Sequence, residues 1–173
     1  MNTTIFIHII RFIGILLGQV FLLKHIDLSW GGFNYIEIFW YPLFILLLPF
    51  RTSQPVLLLL SFVTGLAVDS FYDTTAMHAA ALVFTGFIRA YVFELIQPRG
   101  GYDITHSPTK YRMGMPWFLR YTAILMGVHL FFYFSVEFFT FVYIVDIMLK
   151  TVFSFILSMI FVLMFMFIFN PKD

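Results

Sequence analysis

Long apolar runs, separated by short polar or Gly/Pro-rich breaks, constrain this chain more than any other feature. They do not alternate as barrel strands do, and inside a bilayer each must satisfy its own backbone as a helix. A transmembrane helix needs about 20 such residues. The runs approximate this length at residues 3–23, 33–50, 56–71, 75–97, 117–136 and 146–169. We therefore predict an all-α, six-transmembrane-helix bundle that forms a single integral membrane domain over residues 1–173.

The composition agrees with a membrane protein. Of the 173 residues, 61% are hydrophobic and only 11% are charged, whereas a soluble domain carries about 25% charged residues. The chain has no cysteine, which excludes disulfides and cysteine-ligated metals. The amino-terminal run lacks a basic n-region and is interrupted by Arg11, so we expect a first spanning helix rather than a cleaved signal peptide.

The basic residues predict the orientation, because cytoplasmic loops carry an excess of Lys and Arg. With the amino terminus inside, only Lys24 and Lys150 fall on the outer side. The inner ends and the polar loop at residues 98–116 then hold Arg51, Arg99, Lys110, Arg112, Arg120 and Lys172. The outer ends collect the acids Asp27, Glu37, Asp69, Asp73, Glu137 and Asp146. Both termini and the polar loop are therefore expected in the cytoplasm.

Three polar residues lie between the third and fourth runs, in "GLAVDSFYDTTAMHAAA". Asp73 is expected in the turn, while Asp69 and His78 lie deeper. A lipid-facing aspartate is costly, so Asp69 should face other helices or a wet cavity. It could join or cap two helices, or it could belong with His78 to a ligand pocket. Metal binding or acid–base chemistry is the weakest alternative, because the spacing matches no strong motif.

Two arginines lie inside predicted spans, Arg11 in the first and Arg89 in the fourth. Their long stems could carry the guanidinium groups to the inner interface. Otherwise they need an acid, and Glu94 is the one near the inner half of a span. Because Arg89 and Glu94 are five residues apart, Glu94 would meet a partner from another helix, such as Arg11 or Arg120, more easily.

Polar residues of the last two spans are expected to have structural roles. Asp146 and Lys150 are four residues apart, a spacing that predicts an ion pair at the start of the sixth helix. His129 lies in the middle of the fifth span with no acid near it in sequence. We expect a packed, neutral imidazole there, with a proton relay as the alternative.

Small residues on one face allow helices to approach closely in lipid. Gly14 and Gly18 share a face of the first helix with Arg11 nearby, and Gly65 and Gly86 mark similar faces of the third and fourth helices. These faces serve either internal packing or the docking of another membrane protein. The face formed by Arg11, Gly14 and Gly18 is the one we expect to meet a partner helix.

No catalytic motif is present in the sequence. It lacks a G-x-S-x-G nucleophile elbow, an H-E-x-x-H zinc motif and a phosphate-binding P-loop. Its acids are scattered over several predicted hairpins. We therefore expect a protein that is not an enzyme, with no catalytic, cofactor-binding or metal-binding residues, no cofactor and no nucleic-acid partner.

Several stretches resemble MreD, a family of rod shape-determining membrane proteins, in the version found in Bacteroidetes. They are "YPLFILLLPF" from Tyr41, "GLAVDSFYDTTAMHAAA" from Gly65 and "RAYVFELIQPRGGYD" from Arg89. The single residues Gln19 and His129 and the stretch "WFLRY" also fit. The chain departs from the family at Ala76 and Met77, where a glycine-containing turn is more usual.

The resemblance implies a subunit of the bacterial cell-elongation complex in the inner membrane. Such a protein would partner a single-pass MreC-like protein and, through it, the MreB filament, RodA and a class B penicillin-binding protein. Membrane lipids would surround it. The resemblance also implies a fold similar to the substrate-binding components of energy-coupling-factor transporters. The alternative function is therefore a small-molecule-binding membrane subunit of a vitamin-type transporter, with Asp69 and His78 at an outward pocket.

Overall fold

A computed structural model describes residues 3–25 and 35–169, whose regular secondary structure is helical, with no β-strand among them. The longer helices are α1 (Thr3–Leu17), α3 (Gln54–Tyr72), α4 (Met77–Leu95), α6 (Met115–Phe138) and α7 (Ile144–Ile168). Two short helices are α2 (Pro42–Leu46) and α5 (Lys110–Met113). We call the end of the bundle with the α3–α4 turn the turn end, and the opposite end, with residues 98–113, the loop end.

Four helices of the described chain are long and apolar enough to cross a membrane: α3, α4, α6 and α7. They coincide with the predicted spans at residues 56–71, 75–97, 117–136 and 146–169, with ends shifted by one to two residues. Large apolar side chains are exposed along them, among them Leu59, Tyr91 and Ile160. An exposed apolar surface of this extent is typical of an integral membrane protein.

The second predicted span, residues 33–50, does not form one helix in its described part. Residues 35–40 have no regular secondary structure, and α2 is only five residues long. Pro42 stands at the first position of α2, where its ring prevents the helix from continuing backwards. The segment from Tyr41 to Leu48 is nevertheless buried throughout. Irregular backbone is tolerated at membrane depth only when protein surrounds it in this way.

The first predicted span is helical but not uniform. After α1 the chain continues through a π-helical turn, Gly18–Leu22, and a 3₁₀ turn, Leu23–His25. A π-helical turn widens a helix and often marks a local functional or packing requirement. Here it places Gln19 with its side chain fully buried. Asp27 and Lys172, two charges used to predict the orientation, lie outside the described residues.

Helices α3 and α4 approach each other closely, and their small residues explain the approach. A Cβ added to Gly65 would lie 2.6 Å from the backbone nitrogen of Ala79. A Cβ added to Gly86 would lie 2.7 Å from Ser61 Oγ. The small-residue faces of these two helices therefore pack against each other, as the internal-packing interpretation expects.

At the loop end, the polar loop folds back onto the turn that precedes α3. Phe50 and Arg51 donate their backbone N–H groups to the carbonyls of His106 and Ile104, both at 3.1 Å. In the same loop, the Thr105 hydroxyl and backbone N–H donate to Asp103, and these bonds lower the pKa of that carboxyl. The loop is thus held by ordinary backbone and side-chain bonds.

Candidate functional site

Asp69 serves the first turn of α4. One carboxylate oxygen accepts the backbone N–H of His78 at 3.1 Å and the Thr74 hydroxyl at 2.5 Å. The other oxygen accepts the backbone N–H of Ala79 at 2.9 Å. The first N–H groups of a helix have no partner within it, and the positive helix end favours an anion. Asp69 is therefore an N-terminal cap supplied by the neighbouring helix.

The turn between α3 and α4 depends on two residues with left-handed backbone conformation. Asp73 ends α3 with φ 56°, and Ala76 precedes α4 with φ 58°. Asp73 is exposed, as expected for a residue in the turn. Glycine adopts this conformation most readily. Ala76 is thus a position where a glycine would relieve backbone strain.

A chain of hydrogen bonds runs through the middle of the bundle, and we call it the imidazole chain. His78 Nδ1 lies 3.0 Å from the Tyr41 hydroxyl, and that hydroxyl lies 2.7 Å from His129 Nε2. His129 Nδ1 lies 2.9 Å from the Thr85 hydroxyl, which donates to the carbonyl of Ala81 at 2.7 Å. The four side chains are fully buried. The two histidines that were separate in the sequence interpretation thus meet through Tyr41.

Gln19 binds the irregular segment from the α1 side. Its oxygen accepts the backbone N–H groups of Trp40 and Tyr41 at 2.7 and 3.2 Å. Its amide nitrogen donates to the carbonyl of Ile38 at 2.9 Å and to the Tyr72 hydroxyl at 2.6 Å. One side chain therefore replaces the helical hydrogen bonds that this backbone lacks.

Two serines of α7 bind the same segment from the other side. Ser154 accepts the backbone N–H of Glu37, and Ser158 accepts that of Phe39, both at 2.9 Å. Four residues of helix advance about 6 Å, and two residues of extended chain advance about 6.6 Å. The spacing of the serines therefore matches the spacing of the N–H groups that they accept.

Arg89 is buried and binds the chain at the end of α2. Its guanidinium donates to the carbonyl of Leu48 and, at 2.9 Å, to the Tyr121 hydroxyl, while lying 4.7 Å from the centre of the Phe93 ring. Tyr121 in turn donates to the carbonyl of Leu46 at 2.9 Å. A cation is favourable at the carbonyl end of a helix. The Arg89 side chain is only 2% exposed, so the expectation that its stem carries the guanidinium group to the inner interface was wrong.

Glu94, the acid expected to pair with an arginine, lies on the surface. Glu94 is exposed and forms no ion pair within the described residues. Arg120 donates to the carbonyl of Pro116 at 3.2 Å and is also exposed. Arg11 is half-buried on α1. The expected contact of Glu94 with Arg120 is therefore not formed.

Lys150 has different partners from the one its sequence spacing predicted. In the described chain its ammonium group pairs with Glu37 at 3.2 Å and with Glu137 at 2.9 Å, rather than with Asp146. Asp146 instead accepts the Tyr35 hydroxyl at 3.0 Å. The prediction of an Asp146–Lys150 pair was wrong because both side chains turn towards residues that are distant in sequence.

The predicted partner face on α1 is divided by the structure. Nothing lies within 4 Å of a Cβ added to Gly14, which is exposed. A Cβ added to Gly18 would lie 3.1 Å from the Trp40 ring, and Gly18 is buried. Gly18 thus packs internally, while Gly14 leaves an open notch between the exposed Ile10 and Leu17.

Most buried polar side chains of the described residues form structural hydrogen bonds. Among the described residues, no group of three or more His, Asp or Glu side chains could hold a metal ion. Comparisons with protein-family models, with curated proteins and with solved structures found no match to this chain. What the arrangement does chemically is to satisfy buried backbone and fix one packing of the bundle.

The sequence interpretation did not assign roles to Tyr41, Tyr121, Ser154 and Ser158. All four are fully or almost fully buried and bind another element. The sequence signal that could have indicated these contacts is the pair of prolines, Pro42 and Pro49, which interrupt a run otherwise typical of a transmembrane helix. A broken helix at membrane depth requires polar side chains elsewhere to satisfy its backbone.

Proposed function

We propose that the protein is a non-enzymatic subunit of the bacterial cell-elongation complex, in the inner membrane, which binds an MreC-like single-pass protein. Through that partner it would organise lateral peptidoglycan synthesis by RodA and a class B penicillin-binding protein along MreB filaments. Both termini would be cytoplasmic. The proposal rests on the resemblance to MreD and on the interior contacts formed by the residues that carry this resemblance.

One observation carries the proposal. The polar residues in the stretches that resemble MreD form the hydrogen bonds that hold the interior of the bundle together. Asp69 caps α4, His78 and Tyr41 belong to the imidazole chain, and Arg89 binds the end of α2. A protein that works as a scaffold needs such residues to fix its shape. Its outer surface then remains for partners and lipid.

The transporter alternative required Asp69 and His78 to face an outward pocket. Asp69 is 4% exposed and His78 is fully buried, and both carboxylate oxygens of Asp69 are bound to α4 or to the turn. These contacts give the transporter reading no support. The scaffold reading is the one that we carry forward.

The partner helix would dock at the notch of Gly14. Helices in lipid associate mainly by close packing and hydrogen bonding, so a site without a side chain allows the closest approach. Ile10, Gly14 and Leu17 are exposed on one face of α1, at the spacing of successive helical turns. Because Gly18 is filled by Trp40, the docking face is smaller than the sequence predicted.

Affinity purification tests this proposal. The tagged full-length protein is co-expressed with the MreC-like protein of the same genome, and the retained partner is quantified. The parent should retain it, Gly14→Leu should fold but retain much less, and Ala90→Leu, at an exposed position on α4, should behave as the parent. A parent that retains no partner would contradict the proposed function. A folded Gly14→Leu variant that retains parental amounts would contradict only the docking face.

A further inference from the structure

The hydrogen bonds of the imidazole chain all point in one direction. The Thr85 hydroxyl has a single proton, which it donates to the Ala81 carbonyl at 2.7 Å. Its oxygen must then accept the N–H of His129 Nδ1. His129 Nε2 therefore accepts from the Tyr41 hydroxyl, whose oxygen accepts the N–H of His78 Nδ1. Each step follows because a neutral imidazole has one donor and one acceptor.

This direction leaves His78 Nε2 as an acceptor at the end of the chain. The nitrogen is buried and has no hydrogen-bond partner among the described residues. Because Nδ1 faces Tyr41, Nε2 lies on the opposite edge of the ring. Buried polar atoms almost always have a partner, from protein or ordered water. The chain therefore requires a donor at Nε2.

A small pocket at the turn end shares two of its lining residues, Phe39 and Tyr72, with the surroundings of His78. It has a volume of about 70 Å³, and its lining includes Lys24, Glu37, Phe39 and Tyr72. The rings of Phe39 and Tyr72 also contact His78, with centroid distances of 5.4 and 5.0 Å. One water needs about 10–15 Å³ of such space, so the pocket has room for several waters. Phe39 and Tyr72 therefore lie both in the pocket wall and against the His78 ring.

We propose that a water molecule, supplied from this pocket, donates a hydrogen bond to His78 Nε2. Buried waters usually make two to four hydrogen bonds. Tyr72 and Tyr133 carry hydroxyls on rings that contact His78, but Tyr72 is already bound to Gln19 at 2.6 Å. Tyr133, whose ring lies 4.7 Å from that of His78, supplies the second partner. The site takes water and does not depend on the function proposed above.

The imidazole chain does not provide a continuous path for protons. A proton that entered at His78 Nε2 could pass to Tyr41, His129 and Thr85, but the next group is the carbonyl of Ala81. An amide carbonyl is an acceptor that does not take up and release protons in this way. The water is therefore a structural component that completes the imidazole chain.

Solid-state NMR of the full-length protein in lipid bilayers tests the proposal. With ¹³C,¹⁵N labelling, His78 is assigned through its neighbours Met77 and Ala79, and magnetisation is transferred from mobile water to the imidazole nitrogens. His78 should be protonated at Nδ1 and should receive magnetisation at Nε2. His129, whose two nitrogens both bind side chains, serves as the internal control and should receive none.

Either an Nε2–H tautomer of His78 or a complete lack of water transfer to its Nε2 would overturn the proposal. Tyr133→Phe separates the two parts of the site. The variant should keep the His78 tautomer but show a weaker water signal, because the water loses its second partner. An unchanged signal would exclude Tyr133 as that partner.

Discussion

The Asp69 carboxylate accepts the backbone N–H of Ala79 at 2.9 Å and thereby joins α3 to the start of α4. Directly beside this contact, Gly65 allows the two backbones to approach. The carboxylate and the glycine therefore act on the same junction, one through hydrogen bonding and the other through the absence of a side chain.

Substitution of Asp69 should show which of its bonds matter. Asp69→Leu leaves the N–H groups of His78 and Ala79 without their acceptor, and a buried unsatisfied donor costs about 1–3 kcal/mol. We expect a loss of about 3 kcal/mol in the free energy of unfolding. Asp69→Asn keeps one oxygen and should lose about 1 kcal/mol. Thermal unfolding in detergent measures both, and equal stability of the parent and the leucine variant would refute the capping role.

Two glycines on different helices provide a matched comparison. A Cβ at Gly65 would collide with the backbone of Ala79, so Gly65→Ala should destabilise by about 3 kcal/mol, as overpacking of a core does. Gly14 has open space around it, so Gly14→Ala should leave stability unchanged or slightly raised. The midpoints of thermal unfolding compare them. A Gly65→Ala variant as stable as Gly14→Ala would show that α3 and α4 are not packed this closely.

Gln19 should be as important to the fold as Asp69. Gln19→Leu removes the acceptor of the Trp40 and Tyr41 N–H groups within a buried segment. We expect a loss of about 2 kcal/mol or more. Gln97→Leu, at an exposed position at the end of α4, is the control and should change stability by less than about 0.5 kcal/mol. Equal stability of the two variants would mean that the irregular segment does not need Gln19.

The sequence predicted the long helices well because their signal is local. Uninterrupted apolar runs of about 20 residues, ended by Pro, Gly or charged residues, predict α3, α4, α6 and α7 to within one or two residues. The same signal failed at residues 33–50. An apolar run indicates that a segment is shielded from water, but it does not indicate whether the segment is helical. A buried irregular segment is as apolar as a spanning helix.

The interior contacts could not be predicted because they join residues that are far apart in sequence. Ser158 binds the backbone of Phe39 across 119 positions, and Tyr121 binds that of Leu46 across 75. Local spacing predicted an Asp146–Lys150 pair, and the structure gives Lys150 two other partners. The capping role of Asp69 was among the alternatives that the sequence suggested, because the helix that it caps follows directly in the chain.

Single cysteines at the two ends of α3 test the orientation. The chain has no cysteine of its own, and Ser53 and Thr75 are both exposed, near opposite ends of the helix. The distribution of basic residues predicts that Thr75 faces the outside. Thr75→Cys should react with an impermeant thiol reagent on intact cells, and Ser53→Cys should react only after the membrane is opened. The reverse pattern would contradict cytoplasmic termini.

The shape of cells depleted of the protein tests the proposed function most directly. Cells of the host bacterium, with expression under a repressible promoter, are imaged as the protein is lost, and the ratio of cell length to width is measured. The account predicts that depleted cells become round, that the parent gene restores rods, and that Gly14→Leu fails to restore them although the variant is folded and present in the membrane. Depleted cells that keep a normal ratio of length to width would contradict a role in cell elongation.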